Sequence, residues 1–173
     1  FWPIIKTGRT HLQDATPIRL GQEFQGYVGQ AERSIKRARQ ALDEMCEVAL
    51  GGTAVGTGVG TNSQFAPKVI VKLSKLTGVK LRETTNHFQA QSTLDNIVSA
   101  SGAMKTIAVS LIKIANDLRW LGSGPRAGIG ELDLPEVQPG SSIMPGKVNP
   151  VIPESVLQVA AQVIGNDSAV TLS

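Results

Sequence analysis

Cysteine occurs once in the 173 residues, at Cys46, and histidine twice, at His11 and His87. A single thiol cannot close an internal disulfide, and no Cys/His cluster has the spacing of a zinc site. Chemistry in this chain is therefore expected to be metal-free or borrowed, with no cofactor called for. Aromatic residues make up 4% of the chain, and no basic stripe interleaves with them for base stacking. The net charge of +3 and the pI near 9.2 thus suit an anionic metabolite, and no nucleic acid partner is expected. The longest apolar runs fall far short of the ~18 residues a bilayer span needs, and Phe1 to Lys6 lack a signal peptide's basic region. No membrane role is expected.

With 41% apolar and 18% charged residues and a mean hydropathy of +0.01, the chain reads as soluble and globular, one domain's worth spanning residues 1–173. It opens on Phe1-Trp2-Pro3 without an initiator methionine, which suggests a segment of a longer protein.

Residues 1–16 read as irregular. Thr16-Pro17 then supplies an N-cap with proline at the first helical position. From Leu20 the apolar residues Phe24, Val28, Ala31, Ile35, Ala38, Leu42, Met45 and Val48 follow steps of three and four, predicting a long helix that ends near Gly51-Gly52. The basic run Arg33, Lys36, Arg37 and Arg39 lies largely off that seam, as a solvated face would. GGTAVGTGVG at 51–60 lacks the Gly-Lys-Ser/Thr ending of a phosphate loop, so its glycines are expected to permit close backbone packing. A short helix is predicted over about 64–76, closed by Gly78.

A third helix is predicted over about 89–121. Met104, Ile107, Val109, Leu111, Ile112 and Ile114 cannot share one stripe, so this helix must be buried almost all round. Two helices of that length are too long for a lone globule. The expected fold is an elongated all-α bundle of long helices whose remaining apolar faces are covered by other chains. Residues 122–152, rich in Gly and Pro, interrupt the pattern, and an irregular stretch of that size is often functional. A last helix should start around Pro153-Glu154 and run to Gly165 or beyond.

Reactive groups concentrate in two irregular segments, Gly8 to Asp14 and Gly140 to Pro150. His11 is the obvious proton carrier, whereas His87 is readable as a helix-start residue. Ser141 and Ser142 follow Gly140 in a loop that can aim backbone N–H groups at a ligand or at a serine oxygen. No Gly-x-Ser-x-Gly elbow is present, which argues against a hydrolase triad. Lys147 and Asn149 alternate with Val148; in an extended segment both face one side and can hold a carboxylate. Glu154 can orient a histidine or simply suit a helix N-terminus.

The segments GRTHLQDATPIRLGQEF (8–24), GGTAVGTG (51–58), KIANDLRWLGSGPRAG (113–128) and GSSIMPGKVNP (140–150) closely resemble class II fumarase, within the aspartase/fumarase superfamily. His11, Gly52 and Gly146 favour fumarase, since aspartases carry glutamine, alanine and alanine there. The resemblance implies a metal-free, reversible hydration of fumarate to L-malate, in which Ser141 takes the C3 proton of malate and His11, paired with Glu154, handles the water. Thr10, Ser142, Lys147, Val148 and Asn149 match positions that contact the substrate carboxylates. It further implies the central helical domain of a homotetramer whose active sites are shared between chains, in a cytoplasmic enzyme, a mitochondrial location also fitting. The family's upstream Ser-Ser-x-Met-x-x-Asn region and C-terminal domain are absent, so the chain alone is expected to be inactive. Gln89 stands where the fumarase pattern usually has Glu.

Overall fold

The computed structural model of the chain describes residues 1–138, 140 and 143–173. Among these residues five helices dominate: α1 (Leu20–Met45), α2 (Phe65–Thr77), α3 (His87–Ser92), α4 (Asp95–Leu121) and α5 (Val151–Leu172). Two small sheets accompany them, an antiparallel hairpin of β1 (Ile5–Thr10) and β2 (Gln13–Arg19), and a parallel pair of β3 (Glu47–Val48) and β4 (Arg82–Glu83). The chain divides into two compact units, one of residues 1–36 and 106–164, the other of residues 37–105 and 165–173. α1, α4 and α5 each contribute residues to both.

The long helices stand where the periodicity places them, but the start of α1 differs. Thr16 and Pro17 lie inside β2, Pro17 opposite Thr7, because in a two-stranded hairpin each strand has a free edge where a missing N–H costs nothing. α1 instead starts at Leu20, and its first N–H groups find backbone acceptors: Leu20 N donates to Ile4 O at 2.9 Å and Gly21 N to Phe1 O at 3.2 Å. Gln22 Oε1 accepts from Arg19 N at 3.0 Å, the returning half of a capping box. The expected irregular N-terminus is thus a hairpin docked on the helix start.

α1 also ends earlier, at Met45. Residues 46–48 are taken by the parallel pair, with Arg82 N on Cys46 O at 2.8 Å and Thr84 N on Val48 O at 3.0 Å. The 51–60 loop behaves as its composition suggests: Gly56 N and Gly58 N both donate to Gly52 O at 3.0 Å, and a Cβ on Gly56 would meet the Phe88 ring at 2.8 Å. α2 closes on Gly78, left-handed at φ 71, whose N–H donates to Ser74 O.

The expected helix over 89–121 is two helices, broken where Thr93 adopts an extended conformation. α3 begins at His87 behind Asn86, whose side chain accepts from Gln89 N at 3.2 Å. Gln89 is the third residue of this helix start, a place where Glu and Gln serve alike; its amide donates to Thr93 Oγ1 at 3.0 Å. His87 is therefore a helix-start residue, its Nε2 3.1 Å from Leu50 O and 3.3 Å from Glu83 Oε1.

Both long helices carry two apolar stripes at heptad spacing. On α1, Leu20, Tyr27 and Ala41 are buried, while Val28, Ile35 and Leu42 on the neighbouring stripe remain over half exposed. On α4, Ala108 and Ala115 are buried, while Ile97, Met104 and Leu111 are exposed. The all-round burial expected for this helix is therefore not provided within the chain. By length and composition α4 could cross a membrane, with a mean hydropathy of 1.5 over its most apolar stretch. Yet its polar groups are engaged in protein contacts: Lys105 pairs with the buried Asp167, and Asp117 accepts from Tyr27 Oη at 3.0 Å and pairs with Lys113.

Candidate active site

The β1–β2 hairpin presents the first reactive segment. Thr10 pairs with Gln13, so His11 and Leu12 form a two-residue turn, and both have positive φ, 54 and 62. Such turns normally take Asn or Gly, and non-glycine residues are held there at a cost of order 1–3 kcal/mol each. The turn leaves His11 and Thr10 exposed at the tip.

A charge cluster holds the stem of that hairpin. Arg9 Nη2 lies 2.5 Å from Glu131 Oε1, and Lys6 Nζ lies 2.6 Å from Glu131 Oε2 and 2.7 Å from Glu23 Oε2 on α1. Burial pushes the Glu131 carboxyl up, but hydrogen bonds from Arg9 and Lys6 outweigh it and hold it below the usual carboxylate range. Burial acts against the charge on Lys6 as well, and its bonds to Glu131 and Glu23 more than offset that, raising its pKa.

The second segment leaves α4 at Leu121, and its described residues are irregular up to α5. Its start is pinned by Gly130 N on Ser123 O at 2.8 Å, and by Glu131 N and Leu132 N on Leu121 O at 2.8 and 3.0 Å. Further on, Met144-Pro145-Gly146-Lys147 forms a tight turn, closed by Lys147 N on Met144 O at 3.2 Å, with Gly146 at φ 80. Proline followed by a left-handed glycine is the pattern of a type II turn. Gly140 lies against the Lys147 backbone, where a Cβ would collide with Lys147 O, so the position calls for glycine. Ser141 and Ser142 lie outside the described residues. Lys147 and Val148 are exposed, Asn149 is half-buried, and Val151 N donates to Asn149 O at 2.8 Å as α5 begins.

Glu154 sits in the first turn of α5, after Pro153, which the first turn of a helix tolerates. Its Oε1 lies 3.6 Å from Arg119 Nη2, and Arg119 Nη1 donates to Asn116 Oδ1 at 3.2 Å. Among the described residues no hydrogen bond or ion pair joins His11 to Glu154, or the side chains of Thr10, Lys147 and Asn149 to any other candidate. Nor are three or more His, Cys, Asp or Glu side chains among them grouped to hold a metal ion.

A model of a lyase family matches residues 1–165. The chain belongs to the lyase family. A class II fumarate hydratase from Mycobacterium tuberculosis H37Rv is 58% identical over 168 residues, which cover 96% of this chain and 35% of that protein. One from Neisseria meningitidis is 54% identical over all of this chain and 37% of its own length. Among solved structures, the class II fumarase of Schistosoma mansoni superposes with a TM-score of 0.92 at 38% identity, over 97% of this chain and 38% of that one. The resemblance to class II fumarase therefore holds over nearly the whole chain, which spans about a third of the length of the curated relatives it matches.

Two participants escaped the sequence reading. Arg119 lies near the end of an otherwise apolar helix, in the quoted segment KIANDLRWLGSGPRAG, and a cation there is a usable signal. Glu131 is an acid in a Gly/Pro-rich stretch, and nothing local in the sequence points from it to Arg9.

Proposed function

We propose that the full-length protein is a class II fumarase, a carbon-oxygen lyase adding water reversibly to fumarate to give L-malate. The observation that carries this reading is the presence of both the Thr10-His11 tip and the Gly140–Pro150 loop in a lyase-family chain 58% identical to a class II fumarate hydratase. Residues 1–173 would form its central helical domain.

In the dehydration direction, Ser141 takes the C3 proton of malate. The electron pair left at C3 is shared with the adjacent carboxylate as an aci-carboxylate dianion, which demands fixed donors and a cation. Lys147 supplies the cation, and Thr10, Ser142, Val148 and Asn149 the neighbouring contacts. The pair then forms the double bond as the C2–O bond breaks. His11 protonates the departing hydroxide, so water leaves, and Glu154 stabilises the imidazolium formed on the reverse step. Neither a metal nor a cofactor enters this scheme.

The substrate is a small dicarboxylate, and the enzyme is a cytoplasmic homotetramer in which His11 and Glu154 of one site come from different chains. The outward heptad stripes Val28-Ile35-Leu42 and Ile97-Met104-Leu111 support this assembly, since other copies offer them the apolar cover that the chain itself lacks. The isolated 173-residue chain, lacking about two thirds of its relatives' length, would be inactive.

Assaying the full-length protein for loss of fumarate absorbance, with and without ammonium, tests the reading. Hydration without ammonium is expected. Turnover that requires ammonium would make it an ammonia-lyase, and no turnover would leave a helical module that only assembles.

A further inference from the structure

We infer that Glu131 is a positioning residue for this reaction: by gripping both cations of β1 it fixes the hairpin whose tip carries Thr10 and His11, so the inference rests on the fumarase reading.

An isolated two-stranded hairpin is marginal in water, and this one ends in a turn with two non-glycine residues at positive φ. Its tip can hold one geometry only if the stem is held. Lys6 and Arg9 lie three residues apart, and in a regular strand an odd spacing points side chains to opposite faces. The register irregularity between Thr7 and Arg9 turns the strand locally, and both cations converge on one carboxylate. Arg9 Nη2 donates to Oε1, and Lys6 Nζ forms an ion pair with Oε2 at 2.6 Å.

Glu131 is also anchored from behind, its own N–H on the last carbonyl of α4. Through Lys6 the grip extends to Glu23 on α1, so the stem is tied to two helices at once. Glu131 stands at the start of the segment that goes on to the Gly140–Pro150 loop, so one side chain sets the hairpin tip relative to the origin of the second reactive segment. Misplacing a reacting group by about 1 Å can cost on the order of 100-fold in rate. Of the assigned carboxylate contacts only Thr10 rides on the hairpin, while those of Lys147 and Asn149 lie beyond this grip, so capture should weaken little and turnover should suffer more.

The test is steady-state kinetics on the full-length protein carrying Glu131→Gln, Arg9→Gln, or both, with tetramer mass checked by light scattering. Each single variant should lower kcat by about 10-fold to 100-fold and leave KM within about threefold. The double variant should be no worse than the poorer single, because both remove the same grip. Near-parental kcat in a folded Glu131→Gln tetramer would overturn the proposal, as would losses that multiply. Should Glu131→Gln fail to fold, Arg9→Gln decides alone, since it leaves the Lys6–Glu131–Glu23 contacts in place; parental kcat there, or failure of both to fold, assigns the cluster to stability and rejects positioning. A parent unable to hydrate fumarate would sink the fumarase reading itself, independently of any variant.

Discussion

Arg119, near the end of α4, places Nη2 3.6 Å from Oε1 of Glu154, in the first turn of α5. It is the contact that keeps a cation beside the carboxylate proposed to serve His11 of another chain. The pair is long and both side chains are over a third exposed, so its share in stability is small, about 0–1 kcal/mol. Arg119→Gln should therefore shift urea unfolding of the full-length protein by less than about 1 kcal/mol while lowering kcat several-fold. A kcat at the parental level would detach Arg119 from the function of Glu154.

Ser141→Ala and Lys147→Ala should separate kinetically. A base acts in the proton-transfer step, so Ser141→Ala is expected to depress kcat by about 100-fold or more with little change in KM. A cation on the carboxylate acts in the ground state and more strongly as charge develops, so Lys147→Ala should raise KM and lower kcat together. Initial rates in both directions measure this, and a folded Ser141→Ala enzyme with parental kcat would remove the serine from its role.

If His11 and Glu154 of one site come from different chains, co-expressing inactive His11→Asn and Glu154→Gln full-length proteins should return part of the activity. Hybrid tetramers would contain some sites intact at both positions. A same-chain pair would leave every site with one defect, so hybrids confirmed by native mass spectrometry but lacking fumarate hydration would reject the shared site.

The outward stripe of α4 offers a test of assembly. Met104→Glu places a charge between Ile97 and Leu111, all three exposed within the chain. In a helical core between copies it would be a buried, unpaired carboxylate, costing about 3–5 kcal/mol. Light scattering should show the full-length tetramer dissociating, whereas an unchanged mass would place that stripe outside the interface.

Acid should loosen the α4–α5 contact at Asp167. Hydrogen bonds from Lys105 and Ser101 (Oγ at 2.8 Å) hold its carboxyl below the ordinary 3.8. A carboxyl with a depressed folded pKa contributes stability that is complete above its unfolded value and is lost as pH falls through the folded one. The loss should thus lie below about pH 3.8. Unfolding midpoints measured downward from pH 6 should fall less steeply at the acid end for Asp167→Asn than for the parent, and parallel curves would contradict the linkage.

Much of the architecture was legible in the residues themselves, because helix periodicity and glycine stops are local signals. The apolar steps of α1 and α4, the Gly78 stop of α2 and the irregular start of the stretch after Leu121 form where local chemistry puts them. The reactive segments were legible for a related reason: Thr10-His11 and the Gly140–Pro150 run are contiguous, and their pattern is specific enough to indicate the lyase family. What local chemistry leaves open is pairing. Thr16-Pro17 fits a helix cap or an edge strand equally well, and only the docking of Leu20 N and Gly21 N on the carbonyls of Ile4 and Phe1 decides for the hairpin.

Glu131 meets Arg9 across 122 residues of sequence, Arg119 meets Glu154, and Gly140 lies against Lys147 O. Such contacts depend on where the backbone returns, which tertiary packing sets. The sequence by itself determined where the long helices lie and which segments carry reactive groups. Which charges grip the hairpin, and which of two apolar stripes on each long helix is buried within the chain, were decided by the tertiary structure, because burial and ion pairing are properties of neighbours in space.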